Sequence, residues 1–326
     1  MGLSMKAAVV RVAGQPPVVS DFPEPQLEAN ETLVTMAASS VNPLTLTRAA
    51  GTHYTAEASI PFVAGYDGVG RTSDGTRVYV AQPPRPPFGT LAERAPVSKA
   101  GLILVPDGLS DTFAAAIAVP GVSCWNPLVH RAKIQPEESV LVHGATGAAG
   151  RIAIQVAKHL GARSVVATGR NRTKLEALRA VGADRLIPLD QPPEAIRTAV
   201  HDAVRDLRVG VILDYLWGPT AAAVLAGAGG PNGPRGPAMI RYVQIGAITG
   251  PTVPLDSAIL RSSGLEILGS GFGSSPVQDI RESFAAVFAA AVSAGFRLDT
   301  DVHPFSEIES QWGRTGEDHR LVFSLS

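Results

Sequence analysis

The chain has 326 residues, 45% of them hydrophobic and 17% charged, with a formal net charge of −1. That length exceeds the usual size of one domain and suffices for two cores. The near-neutral balance removes any electrostatic case for nucleic acid or an anionic membrane surface.

At the N-terminus, Met-Gly-Leu-Ser-Met-Lys lacks the apolar core of a signal peptide and carries Lys6 where a myristoylation pattern needs Ser or Thr. Either Met1 or Met5 can serve as the start. Residues 6–122 show short β-like runs (7–11, 32–36, 77–80) broken by Pro and Gly, which predicts a compact, mostly antiparallel β domain. From about 123 to 260, strands at 140–143, 165–168, 185–189, 209–213 and 242–245 alternate with helices at 148–160, 174–181 and 194–206. A weaker helix follows Pro219. This alternation predicts an α/β domain with a parallel, doubly wound sheet and a ligand at the carboxyl ends of its strands. Residues 265–271 add a sixth strand and 277–294 a helix, before a β-like tail expected to rejoin the first domain. The expected domains are therefore 1–122, completed by about 272–326, and 123–271. Residues 228–238 form a Gly/Pro loop expected to be mobile. No apolar run is expected to reach the roughly 18 residues of a membrane span. The single cysteine, Cys124, excludes intrachain disulfides and fits a reducing, cytoplasmic setting.

The most informative stretch is Val-Leu-Val-His-Gly-Ala-Thr-Gly-Ala-Ala-Gly at 140–150. A strand hands over to a helix through Gly144, Gly147 and Gly150, as in a phosphate-binding turn. The first glycine permits the tight turn, the second lets a pyrophosphate approach the backbone, and the third lets helix and strand pack closely. The spacing departs from G-x-G-x-x-G, so the strand–turn–helix context carries the assignment. Gly144, Thr146, Gly147, Ala148 and Ala149 are the candidate contacts. The next strand ends at Gly169 and runs into Arg170-Asn171-Arg172-Thr173-Lys174. An NAD site places an acid here to accept from the ribose hydroxyls, whereas arginine suits a 2′-phosphate. With three cations and no acid, the loop favours NADP(H), gripped by Arg170 first, with Asn171 and Lys174 beside it and Arg172 the weakest candidate. The other reading is a solvated face, but cations at a helix N-terminus oppose its dipole.

Eight segments, in order along nearly the whole chain, resemble the medium-chain dehydrogenase/reductase superfamily in its zinc-independent quinone-oxidoreductase branch. They are 39–43, 61–70, 121–125, the glycine turn, 181–184, 213–218, 243–246 and 268–273. The resemblance implies a GroES-like, mostly-β domain plus a Rossmann domain, NADPH as cofactor, and a homodimer joined edge to edge through the last Rossmann strand. It implies that Asn42 and Pro43 line the nicotinamide pocket and that Ser123 opens a helix at the domain junction. It also implies cofactor contacts at Leu216, Gly246, Ala247, Phe272 and Gly273, the glycines around Phe272 letting the backbone approach the carboxamide. Arg320 with His319 reaches the adenosine phosphate if the tail folds back, and is otherwise a solvated pair. Ser39, Ser40 and Asn42 stand where zinc-dependent relatives carry thiol or imidazole ligands, and 80–89 lacks their four-cysteine loop, so no metal is expected. Leu189 replaces a tyrosine common in relatives.

The expected chemistry is hydride transfer from NADPH to a quinone or an alkene conjugated to a carbonyl. Such a small-molecule acceptor needs only preorganised donors for its developing oxyanion. Asn42 and the cofactor's ribose hydroxyl are the expected donors, and water or Tyr54 returns the proton. Tyr54 reads equally as a packed loop aromatic. Asp67 is expected to order its turn and His143 to be a satisfied buried group. An enoyl-thioester or imine reductase and a non-catalytic NADPH-binding protein remain the alternatives.

Overall fold

The structure, a computed structural model, describes residues 3–52, 59–229, 239–314 and 319–325. The chain forms two compact units, Met1–Ala118 with Phe284–Ser326, and Val119–Ser283. The return to the first unit falls at Phe284, inside the helix Val277–Ala294, rather than near 272. The reason is aromatic packing: Phe284 and Phe288 lie 5.0 and 5.5 Å from the Tyr79 ring.

In the first unit the long strand Glu31–Val41 organises a sheet by pairing with Gly68–Thr72, Arg94–Ser98 and His319–Ser324. Arg77–Val80 and Leu102–Leu104 extend one side, and Asp299–Pro304 runs parallel to His319–Ser324 on the other. All other pairs in this unit are antiparallel, including those of Ser4–Val10 with Val18–Pro23 and Phe62–Val63. Glycine at 70 is required by the pairing: a Cβ there would lie 2.4 Å from the Thr35 carbonyl oxygen. Ala8, Val10, Val41, Leu91, Ile308, Leu321 and Phe323 form one core of this unit.

The second unit holds six parallel strands in the spatial order Arg185–Pro188, Val165–Gly169, Ser139–His143, Val209–Asp214, Ile240–Gln244, Leu265–Gly269. Numbered along the chain this is 3-2-1-4-5-6, whose order reverses between Ser139–His143 and Val209–Asp214. In such sheets the ligand crevice lies at that reversal, beyond the carboxyl ends of the strands. The central strands are buried on both faces, so they read as continuous apolar runs rather than alternating ones. Helices Ala148–His159, Pro193–Leu207 and Gly218–Ala228 follow the expected pattern. The helix expected at 174–181 starts earlier, at Arg172, and tightens into a 3₁₀ turn at Leu178–Val181.

The β-like reading of residues 6–122 missed the helix Asp111–Asn126, which continues as a wide turn over Pro127–Arg131. Asp111–Arg131 is also long and apolar enough, by length and composition, to cross a membrane, which corrects the expectation that no run reaches that length. It is 67% buried within the protein over its most apolar window, as a helix that is hydrophobic all round must be in a core. Cys124 lies in this helix, fully buried, donating to the Gly121 carbonyl at 3.1 Å, and burial pushes its thiol far above the ordinary range. Of the Gly/Pro loop, residues 230–238 lie outside the described residues.

Candidate active site

In the second unit the glycine turn has the properties a pyrophosphate needs. Gly144 leaves the strand at φ +88°, and a Cβ on it would lie 2.8 Å from Leu216 Cγ. Gly147 caps Ala148–His159 with no side chain bonded to the helix end, so the half-buried Ala148 and Ala149 open a turn whose amides face no side-chain acceptor. Gly150 is buried, and a Cβ there would strike Ala145 Cα at 2.5 Å and the Gly144 oxygen at 2.6 Å. Gly169 closes the next strand where a Cβ would meet Thr146 Cγ2 at 2.4 Å, so the two strand ends interlock. Beyond it, Asn171 spends its side-chain oxygen on the Lys174 amide at 3.0 Å as a helix cap, and Arg172 pairs with Asp190 at 2.8 Å. Arg170 is exposed and Lys174 half-buried at this strand end.

His143 ties this edge together. Its Nδ1 lies 2.8 Å from Thr168 Oγ1, which accepts from the Gly144 amide at 3.1 Å, and its Nε2 lies 3.1 Å from Thr220 Oγ1. Burial lowers its pKa from 6.5 to about 4, so the ring is neutral at pH 7. The neutral form is therefore the native one. This contribution to stability is complete above pH 6.5 and is lost as pH falls through about 4. At about 1.4 kcal/mol per unit, His143→Gln is expected to flatten about 3 kcal/mol of the acid limb between those limits. Urea midpoints of both proteins at pH 4.5 and 7 check this; parallel curves would count against it.

Asp214, at the end of its strand and fully buried, was not singled out from sequence. Its carboxylate accepts from the Leu216 and Trp217 amides at 2.8 and 3.0 Å and from Tyr242 Oη at 2.7 Å. These bonds hold Trp217 at φ +56°, a conformation side chains rarely adopt, and set Leu216 over Gly144. An acid directly before a turn at a strand end was the available signal. The Asp214 carbonyl also accepts from Gly246 at 3.1 Å, and a Cβ on Gly246 would lie 2.5 Å from the Tyr215 oxygen; Ala247 beyond it is exposed. Ser123, half-buried, donates to the Pro120 carbonyl, while its own carbonyl accepts from Tyr215 Oη at 3.2 Å. Phe272 is 45% exposed, and a Cβ on Gly271 or Gly273 would meet nothing within 4 Å. Asn126 anchors this loop by donating to Ser275 Oγ at 2.9 Å and Ser270 Oγ at 3.3 Å.

In the first unit, Asn42 departs from its expected place as a displayed donor. It is 1% exposed, its oxygen caps the helix Pro43–Ala49 by accepting from the Thr45 amide, and its Nδ2 donates to Asp67 Oδ1 at 3.2 Å. A short side chain that must satisfy a helix N-terminus is drawn inward; Pro43 sits exposed at the first helical position. Asp67 is fully buried and accepts from Tyr79 Oη at 2.9 Å and Ser40 Oγ at 3.4 Å. Its carbonyl accepts from Ser39 and Thr90. Burial raises its pKa to about 6 against the lowering effect of Tyr79, Arg320 and its other partners. Arg320 is neither solvated nor at a free tail: it is 9% exposed on His319–Ser324, and burial lowers its pKa while Asp67 and Tyr79 oppose the change. Among the described residues its Nε has no hydrogen-bond partner. Tyr54 lies outside the described residues.

Zinc can be tested against the donors. Ser39, Ser40 and Asn42 offer no thiol or imidazole and are engaged with Asp67, and Cys124 is a buried thiol in the other unit. Among the described residues no three His, Cys, Asp or Glu side chains gather as metal ligands.

The strand order, the switch point and the glycine turn together define a dinucleotide-binding Rossmann unit joined in one chain to a GroES-like β unit. Residues 148–290 match the family described as zinc-binding dehydrogenase. The chain is 30% identical over 184 residues to a 2-methylene-furan-3-one reductase of Solanum lycopersicum, which spans 52% of this chain and 47%, about half, of that protein. It is 29% identical over 356 aligned positions to a probable NADPH-dependent quinone reductase of Emericella nidulans, covering 94% of this chain and 96% of that one. A solved mycobacterial quinone oxidoreductase shares the fold with a TM-score of 0.83 at 22% identity, over 98% of this chain and 100% of the other. The chain is thus similar in sequence to these reductases, over part or most of its length, and shares the fold of the solved quinone oxidoreductase.

Proposed function

We propose that this protein is an NADPH-dependent reductase of quinones or α,β-unsaturated carbonyl compounds, working without zinc. The observation that carries the reading is the turn at 144–150, where backbone atoms forbid a side chain on Gly150 and no side chain caps the following helix. When bound, NADPH supplies a hydride to the electron-poor carbon of the acceptor. Gly144, Thr146, Gly147, Ala148 and Ala149 hold its pyrophosphate, and Gly169, Arg170, Asn171 and Lys174 its adenosine end. Leu216, Gly246, Ala247, Ser123, Phe272 and Gly273 are assigned to its remaining length. A donor set of hydroxyls and a carboxamide supports zinc-free chemistry, because a conjugated acceptor needs no Lewis acid. A single buried thiol supports a reducing, cytoplasmic setting. The edge strand Leu265–Gly269, with Glu266 and Ile267 exposed, supports a homodimer, which light scattering checks.

The test is NADPH oxidation with 9,10-phenanthrenequinone, 1,4-benzoquinone and 2-cyclohexenone, repeated with NADH and with EDTA. Turnover that prefers NADPH and survives the chelator is expected; loss with EDTA would end the zinc-free reading. Since a hydrogen bond to a charged group is worth about 1.5–3 kcal/mol, Arg170→Ser is expected to raise KM for NADPH about tenfold or more and leave NADH unaffected. An equal effect on both cofactors would remove Arg170 from the phosphate site.

A further inference from the structure

The glycine turn of the second unit is held by a chain of hydrogen bonds that runs through one imidazole. His143 ends the strand Ser139–His143, immediately before Gly144, and is fully buried. Thr168, on the neighbouring strand Val165–Gly169, is fully buried too and serves the turn twice. Its Oγ1 accepts from the Gly144 amide at 3.1 Å and its carbonyl from the Ala145 amide at 2.8 Å. Thr168 thus fixes the entry to the turn, and a pyrophosphate has to meet the amides that follow. The hydroxyl also carries a proton of its own. With the Gly144 amide donating to the oxygen, that proton is directed to His143 Nδ1, 2.8 Å away. Burial keeps the ring neutral at pH 7, and a neutral ring that accepts at Nδ1 carries its proton at Nε2. Nε2 lies 3.1 Å from Thr220 Oγ1, in the first turn of Gly218–Ala228, and donates there. One relay, Thr220–His143–Thr168–Gly144, joins that helix to the phosphate turn across the point where the strand order reverses.

We propose that His143 is a positioning residue for the dinucleotide: its Nδ1 fixes the Thr168 hydroxyl, and that hydroxyl fixes the Gly144 amide at which the phosphate turn begins. The proposal rests on the cofactor reading above and on no particular hydride acceptor. It also accounts for an imidazole in this place. Val140, Leu141 and Val142 before it are fully buried and apolar, so the strand itself asks for nothing polar. A polar ring is tolerated there because both nitrogens are paired, and one of those pairs reaches the turn. Without an acceptor at the Nδ1 position the Thr168 hydroxyl loses the bond that aims its lone pair at Gly144. Leu216 closes the other side of Gly144, which stands at φ +88°, so the turn has one seating. A change at Thr168 then shifts the amides beyond it.

The experiment compares the wild-type protein with His143→Asn, His143→Gln and Thr168→Val. Calorimetry gives the NADP⁺ affinity and the melting temperature. NMR of the imidazole nitrogens in the cofactor-free protein gives the tautomer, the signal missing from His143→Asn being that of His143. Asn carries its amide oxygen where Nδ1 lies and can accept from Thr168, whereas Gln reaches the Nε2 place and Thr220. The expected tautomer has its proton at Nε2. His143→Asn should keep NADP⁺ affinity within about threefold of wild type, while His143→Gln and Thr168→Val should weaken it about tenfold, the value of one hydrogen bond. A ring that only fills space would make the Asn and Gln variants lose affinity alike, in step with their melting temperatures, and that result would overturn the proposal. A Gln variant that binds as tightly as wild type would do the same. So would a wild-type ring protonated at Nδ1, a result that needs no variant to fold. Wild-type protein that binds no NADP⁺ is a separate result, which overturns the cofactor reading and this proposal with it.

Discussion

Replacing Asp67 by Asn is expected to remove the loss of stability that the carboxyl imposes as pH rises from 3.8 through about 6, about 3 kcal/mol at about 1.4 kcal/mol per unit. Asp67 is enclosed by Tyr79, Ser40 and Asn42, and its charge acts on Arg320. On both partners burial is the largest influence and the mutual attraction only a partial offset: the carboxyl is pushed up to about 6 and the guanidinium is pushed down. Asn keeps the place of the carboxyl without its charge, so the variant should gain on the wild-type protein as pH rises through about 6. Urea unfolding of both proteins at pH 4 and 7.5 measures this; parallel changes with pH would count against it. The pH dependence carries the opposite sign to that of His143. A carboxyl raised from 3.8 to about 6 contributes stability that is complete below 3.8 and lost as pH rises through about 6.

The second large effect is expected at Gly150. A Cβ there meets backbone, Ala145 Cα at 2.5 Å and the Gly144 oxygen at 2.6 Å, and backbone cannot swing aside as a flexible side chain can. Gly150→Val should displace the turn by the overpacking route, at about 3 kcal/mol. If that cost falls on the phosphate cradle, it reads as about a hundredfold loss in NADPH affinity. Quenching of protein fluorescence by NADPH gives the affinity, and circular dichroism separates it from unfolding. A variant that folds and binds NADPH normally would show that the turn is not the cradle.

Much of this was legible in the residues. The Rossmann unit announces itself because its strands are buried on both faces and its turn needs glycines at fixed points. What escaped the sequence did so for physical reasons. Asp111–Asn126 contains Pro120-Gly121, which reads as a break, and it is apolar all round, so no stripe betrays a helix. The spacing around Asn42 says nothing of whether a carboxamide faces a ligand or caps the helix it precedes. Arg320 reads as a terminal cation, whereas the pairing of the neighbouring Leu321 with Val41 makes it part of a mostly buried strand.

The buried thiol of Cys124 has one more consequence. With its only native cysteine held protonated inside a helix, the folded chain should be silent to maleimides and other alkylating reagents. A cysteine introduced at an exposed position, such as Glu266→Cys on the edge strand, then takes up a dye or spin label at one known point without removing anything first. The molecule is its own cysteine-free background, and the label can be read on the otherwise unaltered protein.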